Sequence, residues 1–370
     1  MSSHPFLRSF ASVLIAVLVL QAAVIVLYLA RPELFYYRAW EYLRAWSSAT
    51  TTEDSYWEGT EYSDLGHQYF FYYQEARDTV ASTDADGFRS VPTDLGPPRI
   101  FIQGRSNVFG SGVSDQQTFA WQLAELGTVA TFNGAHGELL STLSRPGLEN
   151  VELVIDIYHE RHLAKRNLAR QVYGLRGESL RPYQPLAGQD QPPHRAMLRG
   201  ILRPSWWLPD ILARQWRRLK KDFKEYRVHG HRPYLTLANT TDGSPLEDVI
   251  VLMERRRRVI EGLGYAYLAM IIPARQTVYA PPLAKAEAME RGTRIATRLE
   301  AGDFPLVNLF PLFRSERGRD LYFRYDTHWN PDGQRLAAEL TLEEIRRRWP
   351  ALLEATPVAL SPARGDATGP

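Results

Sequence analysis

The sequence predicts an α/β fold in three layers, with a mostly parallel sheet of about five strands between helices. Short apolar runs, of the kind that form strands buried on both faces, alternate along the chain with segments of helical pattern. This alternation is typical of a parallel sheet, because parallel neighbours are joined by crossover helices. The strand candidates are residues 99–103, 128–132, 151–158, 265–272 and 304–309.

Three segments between or after these runs carry helix-start signals, at residues 114–126, 244–262 and 330–349. The first two begin with a serine three residues before a glutamine or glutamate, which is the spacing of a capping box. The second and third have proline at the first helical position, where its missing N–H costs nothing. We therefore expect a helix in each segment.

Residues 10–30 are apolar except for Ser12 and Gln21. A bilayer core needs about 20 such residues, whereas the apolar region of a cleaved signal peptide is usually about 7–15 residues long. No small-x-small cleavage motif ends this run. We expect a single-pass anchor with an extracytoplasmic catalytic domain, periplasmic if the source is bacterial, although the flanking charges do not decide the orientation.

The rest of the chain divides by composition. A short N-terminal tail, 1–9, precedes the anchor. Residues 31–97 are rich in aromatic and then in turn-forming residues, and indicate a juxtamembrane segment of extended chain or loops. The folded domain is expected at 98–350, with a basic helical insertion at 163–243. Three interpretations of this insertion are open: a solvated helix face, a lid, or a surface for anionic glycans or lipid head groups. The Pro/Ala/Gly-rich residues 351–370 predict a disordered tail.

Composition excludes several kinds of chemistry. The formal net charge of +2 is too small to indicate a nucleic-acid partner. The chain has no cysteine, which excludes disulfides, thiol catalysis and cysteine-ligated metals. The sequence HERH at 159–162 brings two histidines together, but its spacing does not match a zinc-binding H-E-x-x-H helix. We expect neither a metal nor another cofactor.

The sequence Asp326-Thr327-His328 can supply a general base and the acid that orients it. In an extended loop, residues i and i+2 point the same way, so the carboxylate can reach Nδ1 of the imidazole. Ser106 follows the first strand of the domain and is the candidate nucleophile. We expect its Oγ within about 3–4 Å of a ring nitrogen of His328. The alternatives are a helix cap at Asp326 or Asn330, and His136 as a rival base.

Three backbone N–H groups are candidates for an oxyanion hole, those of Ser106, Gly134 and Gly137. A plain strand-to-helix turn is the alternative at the two glycines. Three further side chains are expected to contact substrate, those of Arg105, Asn133 and Trp329. The arginine beside the nucleophile could also stabilise an oxyanion.

Taken together, residues 84–350 resemble the SGNH (GDSL-type) hydrolase superfamily. GRSNVFGSGVSDQQTF at 104–119 is similar to the first block of that family, and the segment 133–137 to the second. DTHWNPDG at 326–333 is similar to the D-x-H-W-N form of alginate O-acetyltransferase-like members. Ile272 to Tyr279 resembles the P-x-K-x-x-V-Y segment of that subgroup, with Arg275 for the lysine, and Asp86-Gly87-Phe88-Arg89 resembles the lead-in of membrane-anchored members.

The resemblance implies a flavodoxin-like SGNH fold and a membrane-anchored serine esterase or O-acyltransferase. Its substrate would be the acyl groups, chiefly acetyl, of an extracytoplasmic carbohydrate. The implied partners are that carbohydrate or another acyl ester, the membrane through residues 10–30, and polysaccharide-assembly proteins.

Two departures from the family pattern leave a second interpretation open. Arg105 stands where the family has an acidic residue, and IYHERHL at 157–163 lacks the asparagine of the third block. His159 and Arg161 are candidate replacements for that donor. Losing one oxyanion donor typically lowers a rate by about 10²–10³. The alternative is a catalytically degenerate glycan-binding or scaffold protein on the same fold.

Overall fold

The structure is a computed structural model, and it describes residues 4–30, 55–63, 75–164, 167–169, 180–183, 226–229, 232–235, 245–279 and 286–354. Residues 355–370 of the predicted tail, the juxtamembrane residues 31–54 and most of the basic insertion lie outside the described residues. The start of that tail is ordered instead, because Leu352 is buried in a 3₁₀ helix and its carbonyl accepts a hydrogen bond from Arg99.

The described strands are β1 (Ser55–Tyr62), β2 (Ala76–Thr83), β3 (Ile100–Gln103), β4 (Thr131–Asn133), β5 (Leu153–His159), β6 (Tyr226–His229), β7 (Arg232–Leu235), β8 (Ala266–Ile272) and β9 (Leu306–Asn308). The described helices are α1 (His4–Ala30), α2 (Ser106–Phe109), α3 (Phe119–Gly127), α4 (Leu139–Thr142), α5 (Leu246–Gly262), α6 (Arg275–Tyr279), α7 (Ala286–Ala301), α8 (Leu309–Ser315) and α9 (Pro331–Arg348). Short 3₁₀ helices lie at Asp115–Gln117, Glu160–His162 and Pro350–Leu353.

A five-stranded parallel sheet in the order β4-β3-β5-β8-β9 forms the centre of the domain, which confirms the predicted fold class. The chain passes from β3 to β4 on one side and then returns to β5 on the other side of β3. In open parallel sheets, ligands bind at the carboxyl ends of the strands where the order reverses in this way. The β3–β5 crevice is therefore where a site is expected.

The sheet is buried on both faces. All seven residues of β5 are buried. Alternate side chains on β5 enter different cores: Ile155 and Ile157 pack with residues of α3 and α9, whereas Val154 and Tyr158 pack with residues of α5 and α7. Burial on both faces explains why the strands are continuous apolar runs in the sequence.

The three predicted helices are present, with changes at the first two: α5 begins at Leu246, and Pro245, expected at its first helical position, is the N-cap. The Ser114 capping box is formed, but it opens the 3₁₀ turn; Thr118 is the N-cap of α3 and accepts a hydrogen bond from Trp121 N–H. At the third helix, Asn330 accepts from Gly333 N–H at 2.9 Å, with proline in the first turn as predicted.

An antiparallel β1–β2 hairpin lies where the sequence predicted only extended chain or loops. Its contact with the domain is polar and largely buried. Arg89 pairs with Asp115, and its guanidinium also donates to Val113 O at 2.9 Å. Asp115 in turn accepts from Ser82 N–H of β2. The lead-in motif that contains Arg89 thus joins the hairpin to the loop after α2.

In the predicted helical insertion, the described residues of β6 and β7 form an antiparallel pair instead. Two residues separate these strands, and the first is glycine. That is the spacing of a tight β-hairpin, a local signal that outweighs basic composition.

A buried ion pair holds α5 against β5. Arg256 and Asp156 are both almost fully buried, and Arg256 donates from Nε and Nη2 to the carboxylate. Tyr158 and Tyr267 donate their hydroxyl protons to the same carboxylate. This network lies on the face of the sheet away from α9.

Helix α1 is long and apolar enough to cross a membrane over Ser9–Leu27, and none of that stretch is buried against the protein. It is the one such helix in the described part of the chain. A signal sequence near the N-terminus can pass the same test of length and hydropathy, so the helix is a candidate span.

Candidate active site

Ser106 is the first residue of α2, directly beyond the carboxyl end of β3. Gly104 makes this abrupt turn possible, because a Cβ there would lie 2.2 Å from Cγ2 of Val108. The N–H of Ser106 belongs to the first turn of α2, where N–H groups have no intrahelical acceptor, and no acceptor for it is found among the described residues. The nucleophile candidate and one free N–H therefore lie together at the β3–β5 crevice.

The loop before α9 is a tight, braced structure. Tyr322 and Trp329 form an antiparallel bridge, and Asn330 N–H donates to Leu321 O at 3.0 Å. Gly333 in the first turn of α9 packs onto the loop so closely that a Cβ would lie 2.2 Å from Leu321 O. The hydroxyl of Tyr279 accepts from Leu321 N–H at 2.7 Å, so the segment that resembles P-x-K-x-x-V-Y supports this loop.

These two elements bring Ser106, His328 and Asp326 into one hydrogen-bonded series. Nε2 of His328 lies 2.9 Å from Ser106 Oγ, the contact expected from the sequence. Nδ1 lies 2.6 Å from Asp326 Oδ1, which also accepts the His328 backbone N–H at 3.1 Å. A carboxylate at Nδ1 fixes the proton there and leaves the Nε2 lone pair toward the hydroxyl. His328 rather than His136 is thus the imidazole in contact with Ser106.

Arg77 is a site residue that sequence analysis missed. It lies on β2, and its Nη2 donates to Asp326 Oδ2 at 3.0 Å. The guanidinium also stacks over the Phe323 ring at 3.7 Å. The carboxylate that orients His328 is therefore held on its second oxygen from the hairpin. No local motif marks Arg77, because it lies 249 residues before its partner.

Two of the residues expected to bind substrate have structural roles instead. Trp329 is fully buried, stacks on Phe119 with ring centroids 6.0 Å apart, and donates from Nε1 to Asn107 O at 3.1 Å. Asn133 is also fully buried; it donates to Val108 O and accepts from Ala135 N–H. Both side chains hold the walls of the site, so the expectation that they contact substrate is wrong for this conformation.

The two glycines expected to lend oxyanion N–H groups use those groups within the protein. Gly134 N–H donates to Ile102 O at 2.8 Å, which extends the β3–β4 ladder. Gly137 N–H donates to Gly134 O at 3.2 Å within the following turn. Of the three expected N–H donors, only that of Ser106 is free of an acceptor in the described residues.

Arg105 is exposed at the mouth of the site, directly before the nucleophile. Its positive charge reaches His162: burial, then Arg161 and Arg105, lower the pKa of His162 to about 3. No ion pair of Arg105 is found among the described residues, which leaves its guanidinium available to an anionic group.

Glu160 lies just beyond β5 and is buried. Its Oε2 accepts from Ala274 N–H and from Thr277 Oγ1, both at 2.7 Å. Burial raises the pKa of this carboxyl from its ordinary value of 4.5 to about 7, although those hydrogen bonds oppose the rise. Glu160 therefore ties the turn after β5 to the start of α6.

Comparison with known proteins agrees with this architecture. Residues 234–368 match the family model of the SGNH hydrolase-like domain of the acetyltransferase AlgX. That range contains Asp326 and His328, and Ser106 lies before it. No curated protein matches the sequence.

Two solved structures are distantly similar. A putative SGNH hydrolase from Slackia heliotrinireducens shares 15% identity over 68% of this chain and 100% of its own, with a TM-score of 0.33. The salicylyl-acyltransferase SsfX3 from a tetracycline biosynthetic pathway shares 13% identity over 75% of this chain and 61% of its own, with a TM-score of 0.27. The parallel sheet is compatible with the family match, and residues 234–368, about a third of the chain, are similar to the SGNH hydrolase-like domain of the acetyltransferase AlgX.

Proposed function

We propose that the protein is a membrane-anchored serine esterase or O-acyltransferase that acts on acetyl groups of an extracytoplasmic carbohydrate. The observation that carries the proposal is the unbroken series of contacts from Ser106 Oγ through His328 to Asp326. A surface loop with a helix cap would not need a buried imidazole between a hydroxyl and a carboxylate.

In the first half of the reaction, Ser106 Oγ attacks the carbonyl carbon of the ester. Its proton passes to Nε2 of His328 as the C–O bond forms, and the carbonyl electron pair moves to oxygen. Asp326 stabilises the imidazolium and holds its orientation. When the tetrahedral intermediate collapses, the bond to the alcohol oxygen breaks. That oxygen takes the proton from His328 and leaves as a hydroxyl group, with the acyl group on Ser106.

In the second half, an acceptor hydroxyl attacks the acyl-enzyme. His328 removes its proton and returns one to Ser106 Oγ as the serine ester bond breaks. Water as acceptor gives hydrolysis, and a sugar hydroxyl gives transfer. Both outcomes use the same acyl-enzyme and the same three residues. They differ only in which acceptor, water or a sugar hydroxyl, reaches the acyl group.

The AlgX family match supports acetyl transfer, and the choice of a carbohydrate is supported by the resemblance of residues 326–333 to alginate O-acetyltransferase-like members and by Arg105. An exposed guanidinium next to the nucleophile can bind the carboxylate of an acidic sugar in bidentate fashion. Anchoring is supported by the exposed apolar helix α1. An extracytoplasmic orientation, and polysaccharide-assembly proteins as partners, are part of the same proposal.

The test uses the full chain in detergent with a fluorophosphonate probe and with p-nitrophenyl acetate. We expect the wild type to be labelled and to release nitrophenol, and Ser106→Ala to lose both properties. Ser315→Ala, an exposed serine at the end of α8, is the matched control and should behave as the wild type. A wild-type protein that resists the probe and cleaves no acetyl ester, including acetylated acidic polysaccharide, would refute the proposal.

The second candidate, a glycan-binding or scaffold protein, is favoured by one observation. The N–H groups of Gly134 and Gly137 are both engaged in backbone hydrogen bonds, so two expected oxyanion donors are unavailable. The discriminating result is binding of acetylated polysaccharide that survives Ser106→Ala, together with no labelling of the wild type. Labelling that depends on Ser106 excludes this candidate.

A further inference from the structure

His159 is a buried histidine at the end of β5 that the mechanism above does not use. In the pairing of β3 with β5, Gln103 is opposite Asp156. β5 therefore continues for three residues beyond the end of β3, to His159, at the edge where Ser106 lies. The residue stands on the opposite wall of the crevice from the start of α2.

The direction of its side chain follows from the alternation along β5. Ile157 packs in the same core as Trp329, whereas Tyr158 packs in the core on the other face of the sheet. Side chains two residues apart on a strand share a face, so His159 projects to the face of Ile157. That face carries α2 and the loop of His328.

One hydrogen bond fixes the tautomer of His159. Its Nδ1 accepts the N–H of Arg161 at 3.1 Å, as the N-cap of the short 3₁₀ helix. Burial lowers the pKa of His159 well below its ordinary value, with smaller contributions from the charges of Arg161, His162 and His328. A neutral ring whose Nδ1 accepts carries its proton on Nε2.

This Nε2–H group finds no acceptor in the part of the chain that the structure describes. The residue is 6% exposed, and Nε2 has no hydrogen-bond partner among the described residues. Buried N–H groups without acceptors are uncommon, and each one needs an explanation. Here the explanation is an acceptor that arrives with the substrate.

We propose that His159 donates from Nε2 to the oxyanion of the tetrahedral intermediate, beside the N–H of Ser106. The inference rests on the proposed function, because that oxyanion forms only if Ser106 attacks an ester. A neutral imidazole suits this role, because it donates a hydrogen bond and places no competing cation beside His328. It also provides a second donor where the N–H groups of the two glycines are engaged.

The experiment compares three substitutions of His159 in the full chain, with p-nitrophenyl acetate as substrate. His159→Leu should lower kcat by about 10²–10³ with little change in KM, because an oxyanion donor acts in the transition state. The amide nitrogen of glutamine can occupy the place of histidine Nε2, and the amide of asparagine the place of Nδ1. We expect His159→Gln to retain kcat within about tenfold of the wild type, as a retained donor requires. The kcat of His159→Asn should fall as far as that of His159→Leu.

A purely structural role predicts the reverse order. Asparagine would keep the cap on Arg161 N–H and remain active, and glutamine would lose it; that result would overturn the inference even if His159→Leu fails to fold. His162→Ala, whose ring centroid lies 5.8 Å from that of His159, should keep the wild-type kcat. The rate of Ser106→Ala defines the background of the assay. A wild type that the fluorophosphonate does not label refutes the proposed function itself, whereas a labelled wild type with a fully active His159→Leu refutes only the role of His159.

Discussion

The contact between Arg77 and Asp326 makes a prediction about both stability and catalysis. We consider Arg77→Met, which keeps an unbranched apolar stem and removes the guanidinium. In the native protein the two side chains are 11% and 2% exposed, and Nη2 lies 3.0 Å from Oδ2. The substitution leaves a buried carboxylate without the guanidinium, while its hydrogen bonds from His328 are kept.

The magnitude follows from burial. Removing one partner of a buried ion pair typically costs about 3–5 kcal/mol, and the retained hydrogen bonds to His328 favour the lower end. For a domain of this size each kcal/mol shifts Tm by about 2–4 °C, so we expect a fall of about 6–12 °C. The guanidinium–carboxylate hydrogen bond is worth about 1.5–3 kcal/mol. If that energy holds Asp326 in register with the imidazole, kcat falls by about 10-fold to 150-fold.

Arg335→Met is the matched control. Arg335 pairs with Glu339 at 3.1 Å, almost the same distance, but these side chains are 56% and 45% exposed. Exposed pairs contribute about 0.2–1 kcal/mol, so Tm should fall by no more than about 4 °C and kcat should not change. The assays are thermal unfolding by circular dichroism and p-nitrophenyl acetate turnover. Equal Tm shifts in the two variants, or an unchanged kcat in Arg77→Met, would refute the reasoning.

Three further predictions concern single buried groups. Asp326→Asn should lower kcat by about 10³–10⁴, because an amide can donate to Nδ1 and favour the wrong tautomer of His328; steady-state kinetics on p-nitrophenyl acetate measures this, and a loss under tenfold contradicts it. Arg256→Met should lower the free energy of unfolding by about 3–5 kcal/mol, because the Asp156 carboxylate stays buried without the charge of Arg256, with the hydrogen bonds from Tyr158 and Tyr267 kept. Urea unfolding measures this, and a change under about 1 kcal/mol, as for an exposed pair, contradicts it. For Glu160, burial raises the pKa to about 7 from an ordinary 4.5, so between those pH values the folded protein holds a proton that the unfolded chain has released. The contribution of Glu160 to the free energy of unfolding is therefore fully present below pH 4.5. It falls by up to about 3 kcal/mol as the pH rises through 7. Glu160→Gln should remove that fall, seen as a smaller Tm difference between pH 5 and pH 8; an unchanged difference contradicts the assignment.

Much of the fold follows from local signals in the sequence. The five strands of the central sheet are short apolar runs because they are buried on both faces, and that property is visible without a structure. The start of α9 at Asn330-Pro331 was equally visible, because the cap and the proline act within one turn. At the site, Ser106 follows the first strand of the domain and His328 precedes the last helix. Their proximity could be inferred because the loops at these positions meet at one edge of a parallel sheet.

The β1–β2 hairpin could not be predicted in the same way. Its strands are rich in polar and turn-forming residues, and their pairing and burial depend on contacts with the loop after α2. The arginines that matter most to this contact, Arg77 and Arg89, resemble any surface arginine in the sequence. Only the fold shows that their partners are buried carboxylates or carbonyls.

The sequence by itself determined the layered fold, the candidate membrane helix and the three side chains Ser106, Asp326 and His328, because each depends on spacing along the chain. The tertiary structure alone decided which N–H groups are free. It shows those of Gly134 and Gly137 engaged in backbone hydrogen bonds, and that of His159 Nε2 buried without an acceptor among the described residues. Hydrogen-bond satisfaction depends on residues that are distant in the chain and adjacent in space, and no local pattern records it.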